Sequence, residues 1–224
     1  GWFWCGGDPK ATNSLPRRRI WVDGVIFQRF PVTNREYLFF LNDLVDKNRE
    51  EEALKWVPRE RAGQAGQLGA MIYGRDTGGH FQLVPDADGD LWDLDWPVMM
   101  VDWHGAAAYA AWEAERSGLP WRLPEETEWE KAARGTDGRR FPWGETAPND
   151  TLLNYLPGGI ESTTTVGNYV AGVSFYGIHD IGGNVSEWTS DVYHAGYYYE
   201  SQTTDPQGPL PTPNSTENLF VVPI

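Results

Sequence analysis

The chain is 224 residues long, which suits one large domain or two small ones. Hydrophobic residues make up 40% of it, enough to bury a sizeable core and to exclude global disorder. A formal charge of −14 repels a phosphate backbone, so nucleic acid is excluded as a partner in favour of cations or basic partners.

The N-terminal residues 1–32 read as short strands and turns. Cys5 is the only cysteine, so no intrachain disulfide can form, and cytoplasm is slightly favoured as the compartment. Its neighbours Trp2, Phe3 and Trp4 mark it as a buried structural thiol. Ile20 to Phe27 reads as a hairpin about Asp23-Gly24. Thr33 and Glu36 have the spacing of a capping box, and Tyr37, Phe40, Leu41 and Leu44 follow as one apolar helical stripe. Residues 47–95 read as polar and irregular. Within them, Asp86 to Asp90 reads as a solvated acidic turn: its glycine is fourth rather than sixth, and the closing glutamate of a calcium loop is missing.

A second helix is predicted with Asp102 as N-cap, continuing through Ala106, Tyr109, Ala110 and Glu113. Gly118 and Pro120 stop it. A third runs from Pro124 to about Arg134, with Glu125 and Glu126 at the positive end of its dipole and Gly135 closing it. Beyond residue 135, turn residues recur every few positions, and a loop region of that length needs packed rings or a bound ion to fix it. Trp103, Trp129, Trp143 and Trp188 are assigned to the core. His104 is expected to face solvent and His179 to pack in a turn. The four histidines, His80, His104, His179 and His194, lack the short spacing of a metal site. No run approaches the length of a membrane span, and no signal peptide is recognisable. The first residue is Gly, consistent with a trimmed end or a domain of a longer chain.

Four segments in order carry a resemblance. They are Phe30 to Tyr37 (FPVTNREY), Pro97 to Tyr109 (PVMMVDWHGAAAY), Trp121 to Gly135 (WRLPEETEWEKAARG) and Tyr176 to Thr189 (YGIHDIGGNVSEWT). Together they resemble the formylglycine-generating-enzyme, or sulfatase-modifying-factor, family. The resemblance implies an α+β fold of C-type-lectin type, rich in loops, as a single domain over residues 1–224. It also implies structural Ca²⁺. One site would use Asn154 with the carbonyls of Tyr155, Gly167 and Tyr169. A second would use Asn184, Val185 and Glu187 with the Gly183 carbonyl. Such mixed oxygen ligands suit calcium.

The family's enzymes bind copper with two cysteines in a C-terminal segment, which is not recognisable in this sequence. One thiol cannot supply that ligand pair, so no copper is expected. The sequence therefore reads as a non-catalytic domain that binds a protein or small-molecule ligand, like the family's kinase-fused modules or the variable proteins of diversity-generating retroelements. The alternative is a fragment of a formylglycine-generating oxidoreductase whose catalytic cysteine segment is missing.

Overall fold

The computed structural model describes residues 1–10, 14, 16–60, 69–86, 89–155, 162–194, 196–208 and 219–222. In chain order the elements are β1 (Trp2–Cys5), β2 (Arg18–Trp21), α1 (Asn34–Asp46), α2 (Glu50–Trp56), β3 (Tyr73–Arg75), β4 (Phe81–Leu83), α3 (Trp103–Ser117), α4 (Glu126–Arg134), β5 (Glu187–Val192), α5 (Tyr197–Glu200) and β6 (Leu219–Val222). A 3₁₀ turn at Val170–Gly172 lies between α4 and β5. The strands form three antiparallel pairs, β1–β2, β3–β4 and β5–β6. The chain divides into two compact units, residues 31–123 with 163–166, and residues 1–30 with 124–162 and 167–224.

The 31–123 unit is built around α1. The Thr33 hydroxyl accepts the Glu36 N–H and the Glu36 carboxylate accepts the Thr33 N–H, so the capping box forms. Tyr37, Phe40, Leu41 and Leu44 are buried against Tyr109 and Trp112 of α3 and against Tyr73 and Phe81 of the β3–β4 hairpin. Asp102 caps α3 by accepting the Gly105 N–H at 2.7 Å, and Gly118 ends it in the left-handed conformation.

The stretch read as irregular contains α2 and the β3–β4 hairpin. Only Ala53 of α2 is fully buried, so the helix has almost no apolar period to find. Its sequence does favour the dipole, with Glu50, Glu51 and Glu52 in the first turn and Lys55 in the last. The hairpin is tied to α1 by Asn42, which accepts the Phe81 N–H at 2.7 Å and donates to the Phe81 carbonyl at 3.0 Å. Asp86 is a turn residue: its carboxylate accepts the Asp90 N–H and the Trp92 indole N–H. Residues 87 and 88 of that turn lie outside the described residues.

Asn34 is fully buried and links two elements. Its amide donates to the Asp93 carbonyl, and its oxygen accepts the Tyr73 hydroxyl at 2.6 Å. Tyr73→Phe removes that donor without changing the shape of the core. The expected loss is about 1–3 kcal/mol, the cost of an unsatisfied buried acceptor, read from the urea midpoint at unchanged m-value.

In the other unit, β1 and β2 form a ribbon whose inner face, Phe3, Cys5, Ile20 and Val22, is buried. The expected hairpin about Asp23-Gly24 is not formed. β2 ends at Trp21 and pairs back to β1, and its continuation is held by residues 203–205. The Trp21 N–H donates to the Thr203 carbonyl, the Trp21 carbonyl accepts the Asp205 N–H, and the Asp205 carboxylate accepts the Asp23 N–H. Neither Asp23 nor Gly24 takes the positive φ that a two-residue hairpin turn needs.

α4 begins at Glu126, two residues later than expected from Pro124. The Pro124 carbonyl is already committed to Ser190 of β5, at 2.8 Å from its N–H. Glu125 instead makes the N-cap, with its N–H bonded to the Glu128 carboxylate. Trp129, Ala132 and Ala133 of α4 pack with Ile181. Of the four tryptophans assigned to the core only Trp129 is buried; Trp103, Trp143 and Trp188 are partly exposed. Trp143 lies flat on Phe141, 5.3 Å between centroids, with its N–H on the Thr146 carbonyl. An indole satisfied in a local turn does not have to enter the core.

Candidate functional site

The loops between α4 and β5 bring part of the expected ligand set together, all within the unit that contains β1 and β2. Asn154 is buried, and its carbonyl accepts the Asn184 N–H at 2.9 Å. Its side-chain amide donates to the Ser162 carbonyl at 2.7 Å and approaches the Asn184 side-chain oxygen at 3.4 Å. Its own side-chain oxygen, Oδ1, is buried with no hydrogen-bond partner. An unsatisfied buried acceptor of this kind is costly unless something fills the place.

Asp180 organises the surrounding turn. Its carboxylate accepts the Gly167 N–H at 2.6 Å and its carbonyl accepts the Gly183 N–H at 3.0 Å. Asp180 and Asn184 both hold positive φ, at 57° and 72°, a conformation rare for residues with a side chain. Two glycines are required by close approach. A Cβ on Gly167 would meet the Phe30 ring at 2.6 Å, and one on Gly183 would meet the Asn154 carbonyl at 2.6 Å. His179 is buried against the Phe30 ring, 4.8 Å between centroids, as the turn reading expects. Its Nδ1 has no partner, and burial beside Arg29 pushes its pKa down. Burial pushes the Asp180 carboxyl up, against the opposing pull of the Gly167 N–H.

The other expected ligands make the following contacts. The Val185 N–H donates to the Gly183 carbonyl at 2.9 Å. The Tyr169 carbonyl accepts the Gly172 N–H at 2.9 Å, and the Tyr155 hydroxyl reaches the Pro148 carbonyl at 3.4 Å. The Glu187 carboxylate accepts the Trp129 indole N–H at 2.5 Å, and burial raises its pKa to about 7. Asp180 and His179 were not among the expected ligands, although both lie in the fourth motif. The signal available was that motif's unusual backbone, which sequence does not display.

Among the described residues no three His, Cys, Asp or Glu side chains converge as metal ligands. What the loops offer is an amide oxygen with no partner, a second amide oxygen beside it, and backbone carbonyls. That set suits a hard cation such as Ca²⁺ better than a transition metal. His104 is exposed, as expected, and His80 pairs with Asp46 at the surface.

The single thiol is enclosed. Cys5 Sγ donates to Glu130 Oε2 at 2.8 Å, and burial with the Glu130 charge beside it pushes the thiol pKa far up. A thiol held protonated in this way is neither a nucleophile nor a ready metal ligand.

Comparison with known proteins places this geometry. The family model described as "Sulfatase-modifying factor enzyme 1-like domain" matches residues 1–217. Hercynine oxygenase of Mycolicibacterium smegmatis is 36% identical over 187 residues, covering 81% of this chain and 40% of that protein. Serine/threonine-protein kinase Pkn1 of Chlamydia trachomatis is 30% identical over 221 residues, covering 98% of this chain and 31% of the kinase. Inactive C-alpha-formylglycine-generating enzyme 2 of Mus musculus is 32% identical, covering 80% and 61%. The chain thus spans 40% and 31% of the first two relatives' length. The structure of PvdO from Pseudomonas aeruginosa superposes with a TM-score of 0.63 at 20% identity, covering 93% of this chain and 74% of that one, a likeness of fold alone.

Proposed function

This chain belongs to the sulfatase-modifying factor enzyme 1-like family, and on that premise we propose that it is a non-catalytic domain that binds a protein or small-molecule ligand on a calcium-fixed scaffold. The observation that carries the reading is Cys5. It is the only cysteine, and it is buried and hydrogen-bonded to Glu130. A copper site of the family's kind needs two thiolates, so the residues present do not fit copper. The relatives support such a role: one is named as inactive, and another is a kinase that is far longer than this chain. The test is to incubate the purified 224-residue chain with Cu(I), oxygen and a cysteine-containing substrate peptide. No formylglycine is expected, and its formation would end the proposal.

A second reading is a part of a formylglycine-generating-type oxidase whose paired cysteines lie outside this sequence. The 36% identity to hercynine oxygenase favours an oxidative parent. It predicts that the same assay turns positive when the chain is extended by the flanking gene sequence.

For calcium, Asn154 with the carbonyls of Tyr155, Gly167 and Tyr169 would form one site, and Asn184, Val185 and Glu187 with the Gly183 carbonyl the second. The ion would supply fixed positive charge to which the long loops anchor. The orphaned Asn154 Oδ1 supports the fit. Calcium that binds only the folded chain stabilises it by mass action, by about 2.7 kcal/mol at a hundredfold excess over Kd. We expect Tm to rise on adding calcium, to fall on chelation, and to stop responding in Asn154→Ala. A wild-type Tm indifferent to chelation would exclude the ion.

A further inference from the structure

The outer face of the β1–β2 ribbon carries a feature that neither the calcium loops nor the core uses. β1 alternates, with Phe3 and Cys5 inward and Trp2 and Trp4 outward. The two outward indoles remain 41% and 38% exposed. Each lies under an arginine. The Arg19 guanidinium sits over Trp2 at 5.4 Å from the ring centroid, and that of Arg17 over Trp4 at 4.7 Å. Arg19 is directly opposite Trp4 in the ribbon's register, so it reaches Trp2 along the diagonal, a normal cross-strand contact for long side chains. Trp21 closes the end of the row, edge-on to Trp2 at 5.6 Å.

The row depends on its surroundings. Gly138, at φ 79°, leaves the space that the Arg17 guanidinium occupies; a Cβ there would lie 2.1 Å from Arg17 Nη2. Charge is the second observation. This chain has a large excess of acid, and several of its arginines use it: Arg75 pairs with Glu50, Arg139 with Asp137, and Arg140 with Asp8. Among the described residues, Arg17 and Arg19 have no carboxylate within ion-pair distance. Two cations without acidic partners on so acidic a chain leave a place for an acid from outside.

We propose that the outer face of the β1–β2 ribbon, Trp2, Trp4, Arg17 and Arg19, docks an extended acidic peptide of a partner protein. A guanidinium held over an indole keeps its planar N–H fork, and a carboxylate can accept two hydrogen bonds from such a fork. Alternate residues of a strand stand about 7 Å apart. An extended peptide with carboxylates at alternate positions has the same repeat, so two successive acids meet two successive arginines. Its intervening side chains meet the exposed faces of the indoles, the residue type that dominates binding energy at interfaces. The proposal rests on the reading of this chain as a binding module and names the chemistry of one partner.

The test uses the 224-residue chain and a short fluorescein-labelled peptide of alternating glutamate and threonine, followed by anisotropy at low salt. The control peptide carries glutamine in place of glutamate. The acidic peptide should bind and the control should not. Arg17→Ala with Arg19→Ala should weaken binding about tenfold or more at unchanged Tm. If that pair lowers Tm, Arg17→Lys with Arg19→Lys decides. It keeps both charges but loses the planar fork, and should still weaken binding several-fold.

No binding of the acidic peptide overturns the proposal. So does equal binding of the control, or unchanged affinity in the lysine pair. Equal affinity for single-stranded DNA would show general polyanion attraction instead. Concentration-dependent dimerisation abolished by Trp2→Ala with Trp4→Ala would show that a second copy covers the face. The copper assay reads the non-catalytic assignment separately, so failure of peptide binding with no formylglycine sinks the surface alone.

Discussion

Glu130→Ala should destabilise the chain by about 1.5–3 kcal/mol, the cost of removing a charged, partly buried hydrogen-bond acceptor. Glu130 and Arg134 are only 18% and 15% exposed. Glu130 Oε1 accepts from the Arg134 guanidinium and from the Gly6 N–H, the latter at 2.9 Å, and Oε2 accepts the Cys5 thiol. Arg134 is also fixed by the carbonyls of Gly6 and Arg139. With alanine in place, a partly buried guanidinium loses its counter-charge, and the Gly6 N–H and the thiol lose their acceptor. Glu130→Gln keeps an acceptor and should cost less. Glu130→Ala combined with Arg134→Met removes both charges, and should recover part of the loss. Chemical unfolding checks the ranking. A thiol reagent gives a second readout: Cys5 should be inert in the native wild type and react faster in Glu130→Ala, because one of the influences holding its pKa up is gone. Equal stability of Glu130→Ala and wild type would mean that the network contributes nothing.

Stability should fall as pH rises from about 4 to 7. Asp191 is buried, and its pKa is raised from 3.8 to about 7, first by burial and then by the neighbouring Glu125 charge. Its carboxylate also accepts the Glu126 N–H at 2.6 Å, which favours the ionised form but does not prevail. The folded chain therefore holds a proton there that the unfolded chain releases. For a carboxyl with a raised folded pKa, the stabilising contribution is complete below the unfolded value and is lost as pH rises to the folded one. The loss from Asp191 is on the order of 4 kcal/mol. Glu187, also raised to about 7, acts in the same direction when no calcium is bound. Asp137 is lowered to about 2 by its hydrogen bonds with Arg139, so its contribution changes only below about pH 4 and leaves this window alone. Asp191→Asn cannot ionise, so it should flatten part of the slope and be more stable than wild type at pH 8. A stability curve rising between pH 4 and 7 would contradict this assignment.

The capping boxes and glycine stops show where sequence reading works. Thr33 with Glu36, and Asp102 with Gly118, act on N–H and carbonyl groups within a few residues of themselves. Their chemistry is complete in a short window, so α1 and α3 were legible, as was the family through its four ordered motifs. α2 was not, because its seven residues, with Ala53 fully buried and Leu54 and Trp56 only partly so, give no readable period. The apparent hairpin at Asp23-Gly24 failed for a different reason. Local turn chemistry lost to hydrogen bonds with residues 203–205, a partner segment remote in sequence. In the candidate site, Asn154 and Asn184 were named from sequence, but their mutual contact, the orphaned Asn154 oxygen and the central place of Asp180 come from tertiary structure.

By itself, then, the sequence determined the family, the two capped helices and the presence of a single thiol. These are set by local patterning and composition, which need no knowledge of distant neighbours. The tertiary structure decided that this thiol is closed off by Glu130, that Asp191 holds a proton near neutrality, and that Arg17 and Arg19 lie bare on two indoles. Each depends on desolvation or contact between residues far apart in the chain, and those energies exist only once the chain has folded.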